Sequence, residues 1–158
     1  MRVGIGYDIH SSDEARMLVL GGVTFPGEPG LAGHSDADVL LHAIIDALLG
    51  AAGLVDIGTH FPPDDERWAN AGSVGLLRRT SAMLTDASMR VINVDSTVIA
   101  ESPQLAPRVQ EMRSIIAEAI GVSESCINVK ATTNEGLGPV GRGEGIAAMA
   151  VALIEEAR

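Results

Sequence analysis

Val3-Gly4-Ile5-Gly6-Tyr7-Asp8-Ile9-His10 alternates large apolar side chains with glycine and polar ones, the period of a strand with one buried face. Asp8 and His10 therefore project to the same side. At the other end of the chain, Ile146 to Ile154 is apolar throughout and fits a buried helix or a buried strand. There Met149, Val151 and Leu153 alternate with Ala148, Ala150 and Ala152, and this pattern selects a strand. Between the two, Met17 to Leu20 and Val23 to Phe25 flank Gly21-Gly22 as in a hairpin, and Gly27 to Gly33 reads as a loop. Ser35 or Asp36 is placed to cap a helix running to about Gly53, with Leu40, Leu41, Ile44, Ile45, Leu48 and Leu49 as its apolar stripe. Asp56 to about Ala71 is loop-like, Ser73 to about Ala87 helical, and Val91 to Ile99 a strand rich in β-branched residues. Pro107 to Ile120 is a helix opened by proline and stopped by Gly121, and Ile127 to Ala131 a short strand. The mixture predicts an α/β fold in a single domain over residues 1–158, without repeats or low-complexity linkers.

Composition narrows the function. With 11 Lys+Arg against 21 Asp+Glu the net charge is −10, which argues against nucleic acid as a partner, because phosphate neutralisation by basic residues supplies most of that affinity. One Trp, one Tyr and two Phe are too few for a base-stacking platform. No run approaches the roughly 20 apolar residues that span a bilayer, and no targeting peptide is legible at the N-terminus, so no membrane anchor is expected. The single Cys126 cannot pair internally, which fits a reducing compartment, the cytoplasm.

Three groupings are able to carry chemistry. Asp8 and His10 on a strand, with His42 on a helix, would give three ligands to Zn²⁺ and leave a fourth position open for a polarised oxygen. The alternative is a strand-end ion pair beside a helix-surface histidine. Asp38 and Asp46 lie one turn either side of His42, and either is placed to orient its imidazole or simply to be solvated. Gly33-His34-Ser35-Asp36-Ala37-Asp38 is a glycine-led turn opening a helix, suited to phosphate, or else merely a capped helix start. Finally, Lys130-Ala131-Thr132-Thr133-Asn134-Glu135 precedes five glycines between 136 and 145. Two hydroxyls and a carboxylate suit a phosphate–Mg²⁺ pair, although the stretch lacks the Gly-Lys-Ser/Thr ending of a P-loop. It reads equally as a glycine-rich turn between strands, with Arg142 paired to a nearby acid.

Taken together, Gly6-Tyr7-Asp8-Ile9-His10, His34-Ser35-Asp36-Ala37-Asp38, His42 with Asp46-Ala47-Leu48-Leu49-Gly50-Ala51, Asp56-Ile57-Gly58 with Phe61-Pro62, Val129 to Thr133, and Gly141-Arg142-Gly143-Glu144-Gly145-Ile146 closely resemble the 2-C-methyl-D-erythritol 2,4-cyclodiphosphate synthase family. The resemblance runs in order over essentially the whole chain.

It implies a homotrimer of α/β (α+β) subunits, each a mixed sheet covered by helices on one side and packed around a threefold axis, with active sites at the subunit interfaces. The implied reaction turns 4-diphosphocytidyl-2-C-methyl-D-erythritol 2-phosphate into the cyclodiphosphate and CMP, a step of the non-mevalonate route to isoprenoid precursors. By resemblance, Asp8, His10 and His42 hold Zn²⁺ and Glu135 holds Mg²⁺ or Mn²⁺. His34 and Thr133 steady the transition state. Asp8, His10, Ser35, Asp56, Ile57, Gly58, Phe61, Asp65, Asn134, Glu135 and Arg142 contact substrate, and Ala100, Pro103, Leu105, Ala106 and Thr132 receive cytidine. Pro63, Gln104 and Pro139 depart from the family pattern, Gln104 removing a charge beside the nucleotide phosphates. A metal-dependent phosphoesterase and a non-catalytic trimeric small-molecule sensor are the rival readings of the same residues.

Overall fold

A computed structural model describes residues 1–69 and 71–157. The opening alternation belongs to one long strand, β1 (Arg2–Leu20), which turns through Gly21-Gly22 into β2 (Val23–Leu31). Both turn residues have positive φ, 59° and 77°, the conformation a two-residue hairpin needs and glycine supplies without strain. There follow α1 (Val39–Ala52), the single turn α2 (Ile57–His60), α3 (Ser73–Asp86), β3 (Met89–Ile99), α4 (Val109–Ile120), β4 (Ile127–Thr132), the single turn α5 (Gly138–Gly141) and β5 (Gly145–Glu156). The sheet order is β2-β1-β5-β3-β4. Strands β3 and β4 pair in parallel and the other neighbours antiparallel, so the fold is mixed α/β, and the C-terminal run is a strand.

Register divides the sheet into two faces. Gly6, Ala150, Ser96 and Val129 form one cross-strand row, and Ile5, Val151, Asp95 and Asn128 the row on the opposite face. Helix α1 covers the first face: Ala148, Ala150, Ala152, Val94 and Val98 are buried with ten of its residues. The branched face of β1 is the exposed one, with Val3 at 68%, Ile5 at 66% and Tyr7 at 54% of full exposure. The alternation is thus present, but in the single chain its small side faces inward. Contact distance explains this, because a Cβ at Gly6 would stand 1.9 Å from the Ala43 carbonyl oxygen and one at Gly4 2.0 Å from that of Ala47. A helix this close to a strand tolerates only glycine and alanine at the seam.

Four further expectations change. The stretch 27–33 is not a free loop, since Leu31 pairs with Ser12 and Gly30 with Asp13 across a register shift. Helix α1 is capped by Asp38, not by Ser35 or Asp36. The 56–71 segment contains α2 and a 3-10 turn over Glu66–Trp68. A 3-10 turn at Ala106–Arg108 precedes α4, and Gly121 ends that helix in the left-handed conformation. No helix among the described residues is long and apolar enough to cross a membrane.

Candidate metal centre

Asp38 fixes where α1 begins. Its fully buried carboxylate accepts hydrogen bonds from the amides of Gly21 (2.9 Å), Gly22 (2.7 Å) and Leu41 (3.1 Å). Burial pushes this carboxyl up to about 6, opposed by the Gly22 amide and reinforced by the nearby charge of Asp36. The knot joins the β1–β2 turn to the start of α1, and so holds His42, one turn further on, over the inner face of β1.

There Asp8 Oδ2 lies 2.9 Å from His10 Nε2 and 3.0 Å from His42 Nδ1, and the two nitrogens are 3.3 Å apart. Three ligands bound tetrahedrally at the usual zinc distances are about 3.3 Å from one another, so the donor set fits a small divalent ion. Among the described residues, it is the one group of three or more His, Cys, Asp or Glu side chains so converged. Each ligand is anchored from behind. Asp8 Oδ1 accepts from the Ile9 amide at 2.9 Å. His10 Nδ1 stands 2.5 Å from the Ala32 carbonyl, which only accepts; Nδ1 therefore carries hydrogen and Nε2 faces Asp8. Burial raises the Asp8 carboxyl, but its contacts with the His10 and His42 imidazoles overcome that and hold it well below the usual carboxylate range. His10 is raised in turn by its bond to Asp8, against burial. A cation bound between these groups competes with protons for the same lone pairs.

Of the two alternatives that helical spacing leaves open for Asp38 and Asp46, neither holds: neither side chain orients His42, and neither is simply solvated. Asp46 Oδ1 instead accepts the Ile57 amide at 2.8 Å, fixing α2 to α1. The far side of His42 is held by two hydroxyls: Nε2 lies 3.1 Å from Ser35 Oγ and 3.0 Å from the buried Ser73 Oγ. Ser73 is the contact that sequence reasoning missed. It opens α3, 31 residues from His42, and no periodicity relates them.

The trio forms one end of a cavity of about 250 Å³. His34, Ser35, Ile57, Gly58 and Phe61 line it, as does Trp68, which sequence reasoning did not single out. Phe61 and Trp68 meet edge to face with ring centroids 5.1 Å apart. The Arg16 guanidinium donates to the carbonyls of Gly33 and Ser35 and fixes the turn that carries His34. Asp56 and Asp65 do not line the cavity. Asp56 caps α2 through Thr59 (2.8 Å to N, 2.7 Å to Oγ1), which lowers its carboxyl. Asp65 is gripped by Arg67 at 2.5 Å and lowered by it.

The remaining expected residues assemble elsewhere, at the C-terminal ends of β3 and β4. The Ala100 amide donates to the Thr132 carbonyl at 3.0 Å. Glu101 Oε1 accepts from the amides of Asn134 (2.8 Å) and Gly136 (3.4 Å), binding the 100–106 segment to the 132–136 turn. Within that turn Thr133 Oγ1 donates to Glu135 Oε1 at 3.2 Å. Ala100 and Leu105 are buried, while Pro103, which follows a cis peptide bond, and Ala106 lie on the same segment. Arg142 pairs with Glu144 at 2.6 Å. None of these residues lines the cavity at the metal trio, so one chain presents two separate sets of candidate residues.

The same architecture is found in proteins of known name. A relative from Desulfatibacillum aliphaticivorans, 2-C-methyl-D-erythritol 2,4-cyclodiphosphate synthase, is 55% identical over 155 residues, covering 98% of this chain and 100% of its own. The bifunctional IspDF from Campylobacter jejuni superposes with a TM-score of 0.94 at 42% identity, covering 98% of this chain and 42% of that longer one. IspF from Plasmodium falciparum, solved as a CDP complex, superposes with a TM-score of 0.87 at 34% identity over 99% of this chain and 97% of its own. The description that unites fold and sequence is the YgbB family, whose model matches residues 1–155, and to that family this chain belongs.

Proposed function

We propose that this chain is a 2-C-methyl-D-erythritol 2,4-cyclodiphosphate synthase of the non-mevalonate isoprenoid route, a phosphorus–oxygen lyase working in the cytoplasm as a single catalytic domain over residues 1–158. In the reaction a 2-phosphate oxygen bonds to the β-phosphorus of the cytidyl substrate as the bond from that phosphorus to the CMP oxygen breaks. The nucleophile is already part of the substrate, so the protein has to position phosphates and neutralise charge rather than supply a base. The observation that carries the reading is the convergence of Asp8, His10 and His42 on one end of a cavity, within a sequence 55% identical to a named synthase over its whole length.

Zinc held by Asp8, His10 and His42, with Mg²⁺ or Mn²⁺ at Glu135, would supply Lewis acidity and neutralise the diphosphate. His34 and Ser35, beside the trio, donate to phosphate oxygens, and Ile57, Gly58 and Phe61 pack the erythritol portion. Thr132, Thr133 and Glu135 take the diphosphate from the other side, while Ala100, Pro103, Leu105 and Ala106 receive cytidine through main-chain amides. Because the two sets are separate on one chain, the second set comes from a neighbouring copy, and a homotrimer supplies it. The exposed row of Val3, Ile5, Tyr7, Met149 and Val151 is an apolar face suited to burial between copies. The test is ³¹P NMR of metal-loaded protein with the cytidyl substrate. CMP and the cyclic diphosphate are the expected products; a linear phosphate product marks a phosphoesterase, and no turnover marks a sensor.

A further inference from the structure

The side of His42 that faces away from Asp8 settles a question that the three ligand positions leave open, namely which imidazole nitrogen is free to bind. A carbonyl answers it for His10, because a carbonyl only accepts. His42 Nε2 instead meets two hydroxyls, Ser35 Oγ at 3.1 Å and Ser73 Oγ at 3.0 Å, and a hydroxyl can serve either as donor or as acceptor. Ser35 alone does not decide, since its oxygen already accepts the Ala37 amide at 3.1 Å while its hydrogen stays free. Ser73 does decide. It is fully buried, its one hydrogen is given to Asp36 Oδ1, and its backbone amide donates to Asp36 Oδ2 at 2.9 Å. With its hydrogen spent on a carboxylate, Ser73 Oγ can only accept from His42.

We infer that Asp36 and Ser73 are positioning residues that fix the proton of His42 on Nε2 and keep Nδ1 as a bare lone pair facing the metal position, so that the site is set for its cation before the cation arrives. The inference rests on the reading of Asp8, His10 and His42 as metal ligands. It has a second consequence. With hydrogen already on Nε2, the Ser35 hydroxyl hydrogen has no acceptor there and is left for an oxygen in the cavity that Ser35 lines. One half-buried acid, Asp36, thereby orients both a metal ligand and a donor to substrate phosphate.

The test uses the 158-residue chain, stripped of metal and titrated with Co²⁺, whose visible spectrum reports tetrahedral coordination, together with ¹⁵N-histidine NMR of the metal-free protein above pH 8. Wild-type protein is expected to bind Co²⁺ and to show hydrogen on His42 Nε2. Ser73→Ala is expected to weaken Co²⁺ by about 10–100-fold and to give a mixture of His42 tautomers, since Ser35 then satisfies either one. Asp36→Asn, which leaves Ser73 in place but no longer compels the direction of its hydroxyl, is expected to give the same mixture. Unchanged circular dichroism shows that each variant folds; if Ser73→Ala does not, Asp36→Asn carries the test. Failure of wild-type protein to bind Co²⁺ would overturn the metal reading itself. Wild-type binding, with both variants keeping its affinity and the Nε2 hydrogen, would overturn the inference alone.

Discussion

Replacing Gly6 by alanine sets a methyl group 1.9 Å from the Ala43 carbonyl oxygen and 2.8 Å from the Ala47 nitrogen. Both are helix backbone, so no side-chain rotation relieves the clash, and α1 must retreat by more than about 1 Å to reach ordinary contact. Overpacking of this kind costs about 1–3 kcal/mol, read as a lower midpoint in urea unfolding with an unchanged slope. The larger effect falls on the metal centre, because His42 is the chain neighbour of Ala43. Retreat of α1 opens the 3.0 Å gap between His42 Nδ1 and Asp8 Oδ2, whereas metal–ligand distances tolerate only about 0.2 Å. Metal affinity, followed by Co²⁺ titration, should fall about 100-fold or more. Gly4→Ala is the control. Its methyl meets the Ala47 oxygen at 2.0 Å, so the stability cost is similar, but the clash lies a helical turn beyond Ala43 and metal affinity should fall less. Stability within about 0.5 kcal/mol of wild type, with undiminished metal affinity in Gly6→Ala, would refute the argument that the glycines set the height of α1 over the strand.

Removal of metal should leave a stability that depends on pH from both sides. Asp8, depressed below its ordinary 3.8, contributes above that value and loses its contribution as pH falls through the lower folded one. His10, raised above 6.5, contributes below that value and loses its contribution as pH rises through the higher folded one. The pair should therefore support the metal-free chain most between about pH 4 and 6.5, while cation affinity rises with pH as His10 gives up its proton. A thermal midpoint of metal-free protein that is the same in wild type and Asp8→Asn across pH 3–9 would contradict this. Asp38→Ala removes the cap of α1, worth about 1 kcal/mol, and orphans the Gly21 and Gly22 amides at about 1–3 kcal/mol each. A loss of at least about 3 kcal/mol in urea unfolding is expected, and a loss below about 1 kcal/mol would exclude the knot. Ile5→Glu charges the exposed face without touching the core; sedimentation should show dissociated chains with native circular dichroism, and an unchanged assembly would remove that face from the interface.

Much of the site was legible because strand periodicity is strict. Period two alone puts Asp8 and His10 on one side, and the leucine and isoleucine stripe of α1 places His42 off the core face. What alternation does not reveal is which side of β1 lies inward. Large residues look like the core side, yet the close approach of α1 requires the small side. The cap of α1 was misplaced for a related reason, since Ser35, Asp36 and Asp38 all suit a helix start. The choice of Asp38 depends on the amides of Gly21 and Gly22, brought in by a hairpin. Ser73 and Glu101 were invisible because their partners are set by tertiary packing across 31 and 33 residues, beyond the reach of any local pattern. The 56–71 segment hid α2 and a 3-10 turn because elements of three or four residues carry too few positions to show a period.

The separation of the metal trio from the Thr132–Glu135 turn makes damage to the two halves separable by mixing. On the proposed reading, a chain carrying Asp8→Asn and another carrying Glu135→Gln are each expected to be inactive alone, yet each keeps one half intact. Unfolded together and refolded as mixed threefold assemblies, they would place an intact half of one against an intact half of the other at roughly a quarter of the junctions. Two dead proteins would thus recover activity in combination, a recovery that a site built within one chain does not allow.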